Sequence, residues 1–263
     1  MKKSLELEKK VFQRKFEKLL NNFCVKLRDY SLQPNNENIH DIRVAVRRLE
    51  NAHRILPKSI RRKKSIKNYI VHAKLLFKLN AHIRDIDIIC AKFEIKYRDQ
   101  TRNLVQDLQQ QRISRLQEAN KIASTLSHLD SLKIPWNEIK KTSLCKRYHK
   151  IIHAIILDIK KNSAIALSDE KKIEELHRVR KDFKKLRYSL ELISNRKAVE
   201  LRNLRQIQDI LGEIHDYDIM INYLKSLTDK YQVVHVLESE ISERRKKYNL
   251  FISSFSKMKS DLF

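Results

Sequence analysis

One glycine and three prolines in 263 residues leave this chain few places to turn sharply. Two-residue hairpins need Asn-Gly or Asp-Gly, and neither dipeptide occurs, so short strands joined by tight turns are hard to place anywhere. Long helices remain, and the spacing of apolar residues says where they run. From about Ser4 to Leu32, the residues Leu5, Phe12, Phe16, Leu19, Leu20, Phe23, Leu27 and Tyr30 keep a helical period. Gln33-Pro34-Asn35-Asn36 breaks it and offers an N-cap, and a second helix follows to Pro57. The basic run from Lys58 to Lys67 then enters a helix to about Asn80. Further helices are expected from Thr101 to Leu129, after Trp136, after the start signal Ser168-Asp169-Glu170, through Arg202 and Arg205, and from about Tyr231 to Leu262. The reading is all-α, with 41% hydrophobic residues to build a core.

One of these helices occurs twice. In the stretch from Ile39 to Leu56, a helical projection puts Ile42, Ala45, Val46, Leu49, Ala52 and Leu56 on one face. His40, Arg43, Arg47 and Arg54 fall on the other. From Leu176 to Ile193 the pattern returns: Val179, Phe183, Leu186, Leu190 and Ile193 make an apolar stripe, opposed by His177, Arg180, Lys184 and Tyr188. His, Arg and a basic residue therefore answer one another position by position, which solvation of a helix face does not require. The repeat divides the chain into two halves of similar plan, roughly residues 1 to 130 and 131 to 263. Related by an approximate two-fold, such halves would bring their basic rows face to face across a shared groove, where positive potential concentrates.

A second pair of segments lies downstream of each repeat. Ala81-His82-Ile83-Arg84-Asp85-Ile86-Asp87-Ile88 matches Gly212-Glu213-Ile214-His215-Asp216-Tyr217-Asp218-Ile219. Asp85 and Asp216 are expected to cap helix N-termini, with Asp87 and Asp218 in the first turn. A metal site would need carboxylates converging from different elements, so capping is the preferred reading and no metal is expected. Gly212 and its counterpart Ala81 are both small, and alanine does not tolerate positive φ, so close backbone approach is expected there.

The formal charge of +25, from 57 Lys and Arg against 32 Asp and Glu, exceeds what solubility needs and points to a polyanionic partner: nucleic acid, acidic lipid or a phosphate polymer. Cys24, Cys90 and Cys145 are too scattered for a disulfide framework and form no Cys-x-x-Cys pair, so a reducing, cytoplasmic setting is expected. No signal-peptide core and no membrane span are evident in the sequence.

The helices His40-x-x-Arg43-x-x-x-Arg47-Arg48-Leu49 and His177-x-x-Arg180-x-x-x-Lys184-Lys185-Leu186-Arg187-Tyr188, with the Leu211-Gly212 and Arg84-Asp85-Ile86-Asp87 segments, resemble the CHAD domain, the conserved histidine α-helical domain. The resemblance covers nearly the whole chain. The second half matches more closely; in the first, Glu50 stands where the pattern has a basic residue and Ala81 where it has glycine. It implies two pseudo-symmetric four-helix bundles forming one compact helical domain over residues 1–263, a basic central groove or channel, and binding of inorganic polyphosphate without catalysis or cofactor. The implied ligand-binding residues are His40, Arg43, Arg47, Arg48, His177, Arg180, Lys184, Lys185, Arg187 and Tyr188, with Lys74, Lys78, Arg84, Arg202 and Arg205 as a second tier. It also implies a cytoplasmic protein that associates with polyphosphate granules.

The chemistry agrees. A linear phosphate polymer presents closely spaced anions and no bases to read, so rows of Arg and Lys at helical spacing suffice for recognition. Two alternatives stand beside it. A nucleic-acid binder is permitted by the charge, but aromatic residues make up only 7% and no docking motif is present. An accessory subunit of a polyphosphate-processing enzyme is the other; an enzyme in its own right is not expected, because there is no P-loop and no convincing carboxylate cluster.

Overall fold

The computed structural model describes residues 7–97, 101–193, 198–227 and 233–262, and no strand occurs among them. The chain divides into two compact units. The first comprises Met1–Ile151 with Glu191–Ser194, and the second Ile152–Leu190 with Asn195–Phe263.

In the first unit, α1 (Lys9–Leu32) packs on α2 (Asn36–Ile55), and the short α3 (Lys58–Arg61) leads into α4 (Lys64–Lys96) and α5 (Arg102–His128). Contacts run from α1 to α2, α2 to α4, α4 to α5 and α5 back to α1, which closes a four-helix bundle. Asn35 is the N-cap of α2, its side chain accepting from the Asn38 backbone N–H at 2.8 Å. The apolar face expected for α2 is the buried one: Ile42, Ala45, Val46, Leu49, Ala52 and Leu56 are all inside. The expected start of α1 near Ser4 and of the last helix near Tyr231 lie outside the described residues.

The second unit holds the C-terminal part of α6 (Lys141–Ala166), then α7 (Ile173–Glu191, of which Glu191 falls in the first unit), α8 (Ala198–Lys225) and α9 (Val234–Leu262). Side chains again close a four-helix ring. Tyr248 of α9 donates to the Ala166 carbonyl of α6 at 3.0 Å, Asn162 of α6 lies 3.5 Å from Asp182 of α7, Arg187 of α7 donates to Gln208 of α8, and α8 packs along α9. In its core Phe183 meets Phe255 edge to face, and Phe251 packs at a tilt on the same Phe255 ring. Ser168-Asp169-Glu170 does not start α7 directly. Asp169 Oδ1 accepts from Lys171 N at 2.8 Å in a turn, and the helix begins at Ile173.

Three expectations are corrected. The helix entered from the basic run does not end near Asn80 but continues to Lys96, so Asp85 and Asp87 lie mid-helix, as do Asp216 and Asp218 in α8. They are not N-caps. Two of them, both buried, are held by ion pairs instead: Arg112 Nε donates to Asp87 at 2.7 Å, and Arg244 Nε to Asp218 at 2.5 Å. Each pair ties the long helix that follows a repeat to the helix after it, α4 to α5 and α8 to α9, and Arg112 also reaches the Pro34 carbonyl and the Asn36 side chain. A tertiary arginine has thus overridden a local capping preference. The third correction concerns Gly212, where a Cβ would meet nothing within 4 Å; its small size answers to no close contact among the described residues.

Candidate functional site

The apolar stripes of α2 and α7 fix how both helices roll, and the basic rows follow on the opposite side of each. On α2, His40 is exposed and Arg43, Arg47 and Arg48 are half-buried. Phe77 of α4 organises two of them. Arg43 donates from Nη1 to the Phe77 carbonyl at 2.7 Å, with its guanidinium 4.4 Å from the ring centroid, and the Arg47 guanidinium lies 4.9 Å from the same centroid. Stacking on one ring removes rotamer freedom that two long cations would otherwise lose on binding. Arg48 lies 3.8 Å from Glu191. Of the second tier, Lys74 pairs with Glu50 at 3.0 Å, Lys78 is exposed and Arg84 is half-buried. The acid that departs from the repeat therefore neutralises a lysine of α4.

On α7, His177, Arg180, Lys184 and Lys185 are half-buried. His177 Nδ1 meets His215 Nδ1 of α8 at 3.2 Å, the rings 4.6 Å apart, so one nitrogen carries the proton and the other accepts it. Arg180 lies close enough to Asp218 to favour its carboxylate form, although burial dominates and pushes that carboxyl upward. Lys185 binds Asp182 at 2.7 Å. Arg187 and Tyr188, which the resemblance places at the ligand, are 7% and 5% exposed. Arg187 Nε donates to Gln208 at 2.8 Å and its guanidinium lies 4.7 Å from the Tyr188 ring centroid. Arg187 thus anchors α7 to α8 with the buried Tyr188 ring against it, whereas Arg202 and Arg205 are exposed on α8.

The first unit thus sets Arg43 and Arg47 on Phe77, with His40 exposed on the same helix, and in the second His177, on the helix that carries Arg180, Lys184 and Lys185, meets His215. Two partners escaped the sequence reading. Phe77 carries no signal there, being one of many aromatic residues at helical spacing; His215 was visible in the repeated segment after Gly212, read as a structural element alone.

Against known proteins, the CHAD domain matches residues 11–225. The chain belongs to the CHAD family. Its helices resemble the crystal structure of the CHAD domain from the plant Ricinus communis, with TM-score 0.62 and 15% identity over 98% of this chain and 91% of that one. PptA from Streptomyces chartreusis is similar to the same degree, TM-score 0.62 and 11% identity over 97% of this chain and 99% of that one. A search of curated proteins found no match to the chain. At such identities the structures share a fold with this CHAD protein. The repeated His-x-x-Arg helices connect its residues to the family. Among the described residues no helix is long and apolar enough to cross a membrane, and no group of three or more His, Cys, Asp or Glu is placed to hold a metal ion.

Proposed function

We propose that this CHAD protein binds inorganic polyphosphate through the basic rows of α2 and α7, without transforming it. The observation that carries the reading is the matched display of His, Arg and a further cation on both helices, opposite a buried stripe, with Arg43 and Arg47 already ordered on Phe77. Preset guanidinium forks suit a polymer of phosphoryl groups, to which each can give two parallel charge-assisted hydrogen bonds. Family membership supports the same ligand. The rows offer donors and positive charge but no nucleophile paired with a base, which is why binding rather than turnover is proposed.

Competition among polyphosphate, duplex DNA and single-stranded RNA at one salt concentration tests the ligand, and charge reversal tests the site. Arg43→Glu and Lys184→Glu should each weaken polyphosphate binding by about tenfold or more, the scale of a lost charge-assisted contact. Lys18→Glu makes the same charge change on the exposed side of α1 and should have a small effect. Equal losses in all three would replace the site with a diffuse electrostatic surface. Preference for either nucleic acid would move the function to nucleic-acid binding.

A further inference from the structure

Arg54, Arg61 and Arg147 meet at the C-terminal end of α2, within the first unit. Arg147 Nε donates to the Arg54 carbonyl at 2.7 Å, and Arg61 Nε to the Leu56 carbonyl at 3.1 Å. The last carbonyls of a helix lack intrahelical partners and carry the negative end of its dipole, so one such cation is an ordinary cap. A third guanidinium from the same turn exceeds that need. Among the described residues no carboxylate lies within ion-pair distance of the three; Glu50 and Glu138 are engaged by Lys74 and Lys63. Their close charged neighbours are cations instead. Burial and then Arg54 and Arg62 lower the pKa of Arg61, and burial and then Arg61 and Arg54 lower that of Arg147.

Beside them lies a buried imidazole with an unused nitrogen. His53 is 8% exposed, and its Nε2 has no hydrogen-bond partner among the described residues. Its pKa is pushed down to about 4, first by burial and then by Arg61, Lys74 and Arg147, which places the ring next to the cluster. Arg54, Arg61 and Arg147 are themselves half-buried, so they reach solvent while standing on a fixed backbone. Arg61 and Arg147 spend only Nε on the helix end, which leaves the Nη groups of both for an oxyanion.

We propose that Arg54, Arg61 and Arg147 form a second anion site, which takes a single terminal phosphate group: free orthophosphate or the end of a phosphate chain. A terminal group carries close to two negative charges near neutral pH and three acceptor oxygens, matching three forks; an internal unit carries one charge and gives two oxygens to its bridges. The site stands about 10 Å along α2 beyond Arg47, at two helical turns. Arg54 is the last residue of the basic row on α2, but orthophosphate alone can fill the site, so its test does not depend on polymer binding along the rows.

Calorimetric titration with orthophosphate at millimolar concentration is the first arm. The second compares linear triphosphate with cyclic trimetaphosphate, which has as many phosphorus atoms and no ends. The parent should bind orthophosphate, and should bind the linear compound about tenfold or more above the cyclic one, the scale of one charge-assisted hydrogen bond. Arg61→Gln and Arg54→Gln should each lose a comparable factor for orthophosphate, and Lys18→Gln should lose nothing. Arg54 is the cleaner variant because its side chain caps no carbonyl. No orthophosphate heat in the parent, equal affinity for linear and cyclic forms, or full affinity in Arg54→Gln would each overturn the site. Failure of Arg43→Glu to weaken long-chain binding would bear on the rows alone.

Discussion

The His53 imidazole is neutral on the buried side of α2, its pKa pushed down to about 4 by burial and by Arg61, Lys74 and Arg147. In the unfolded chain a histidine titrates near 6.5. The folded value is depressed, so the folded state resists the proton: the contribution is fully present above the unfolded pKa and is lost as pH falls through the folded one. Between those values stability should drop by roughly 3 kcal/mol, at about 1.4 kcal/mol per pH unit. His53→Leu removes the titration at similar volume, so its urea midpoint should fall less than the parent's between about pH 7 and pH 4.5. Parallel loss in both proteins would show that His53 does not set the acid limit. This behaviour has no trace in the sequence, where Ala52-His53-Arg54 reads as the end of an amphipathic helix. The cations around His53 come from residues 61, 74 and 147, and only the fold brings them together.

At the level of helices, the pairs Asp87–Arg112 and Asp218–Arg244 occupy equivalent places in the two units, the second buried on both sides. Burial pushes the Asp218 carboxyl up even though Arg244 and Arg180 oppose the shift, so desolvation outweighs the pairing. Breaking one side should be costly: Arg244→Leu should destabilise by about 3 kcal/mol or more, because it leaves a buried carboxylate without its guanidinium. Replacing both, Asp218→Leu with Arg244→Met, should return stability to within about 1 kcal/mol of the parent or above it. A double variant as unstable as the single one would mean that the pair supplies stability in its own right. These pairs also mark how far the helices could be read from sequence. The period of α1, α2, α5 and α7 was visible because each hides one stripe, and Asn35 was visible as a cap because Pro34 precedes it and an apolar run follows. The continuity of α4 through Asp85 and Asp87 was not. Aspartate favours helix starts in isolation, and the arginine that makes it welcome mid-helix arrives from α5, about 25 residues later, a partner that no local propensity rule identifies. The same limit applies to the rows. Their positions on α2 and α7 followed from spacing, whereas the burial of Arg187 and Tyr188 depended on Gln208 and the packing of α8.

For the whole molecule, a formal charge of +25 makes some binding to any polyanion a foregone result, so affinity alone cannot identify the ligand contacts. Salt dependence can. Each phosphate neutralised releases condensed counterions, and for a flexible single-stranded polyanion log affinity falls with log salt by about 0.7 per phosphate contacted. Rows that engage several phosphates together should therefore give steeper slopes as the polymer lengthens, until every cation in the rows is occupied, after which the slope should stop changing. Arg43→Glu should lower the limiting slope by about 0.7 or more, since it removes at least one contact, whereas Lys18→Glu should shift affinity slightly and leave that limit in place. The measurement is a titration series with triphosphate and with progressively longer polyphosphates at four or five salt concentrations. A long polymer whose slope is no steeper than that of triphosphate would confine recognition to a short local site, and the matched rows of α2 and α7 would then need another explanation.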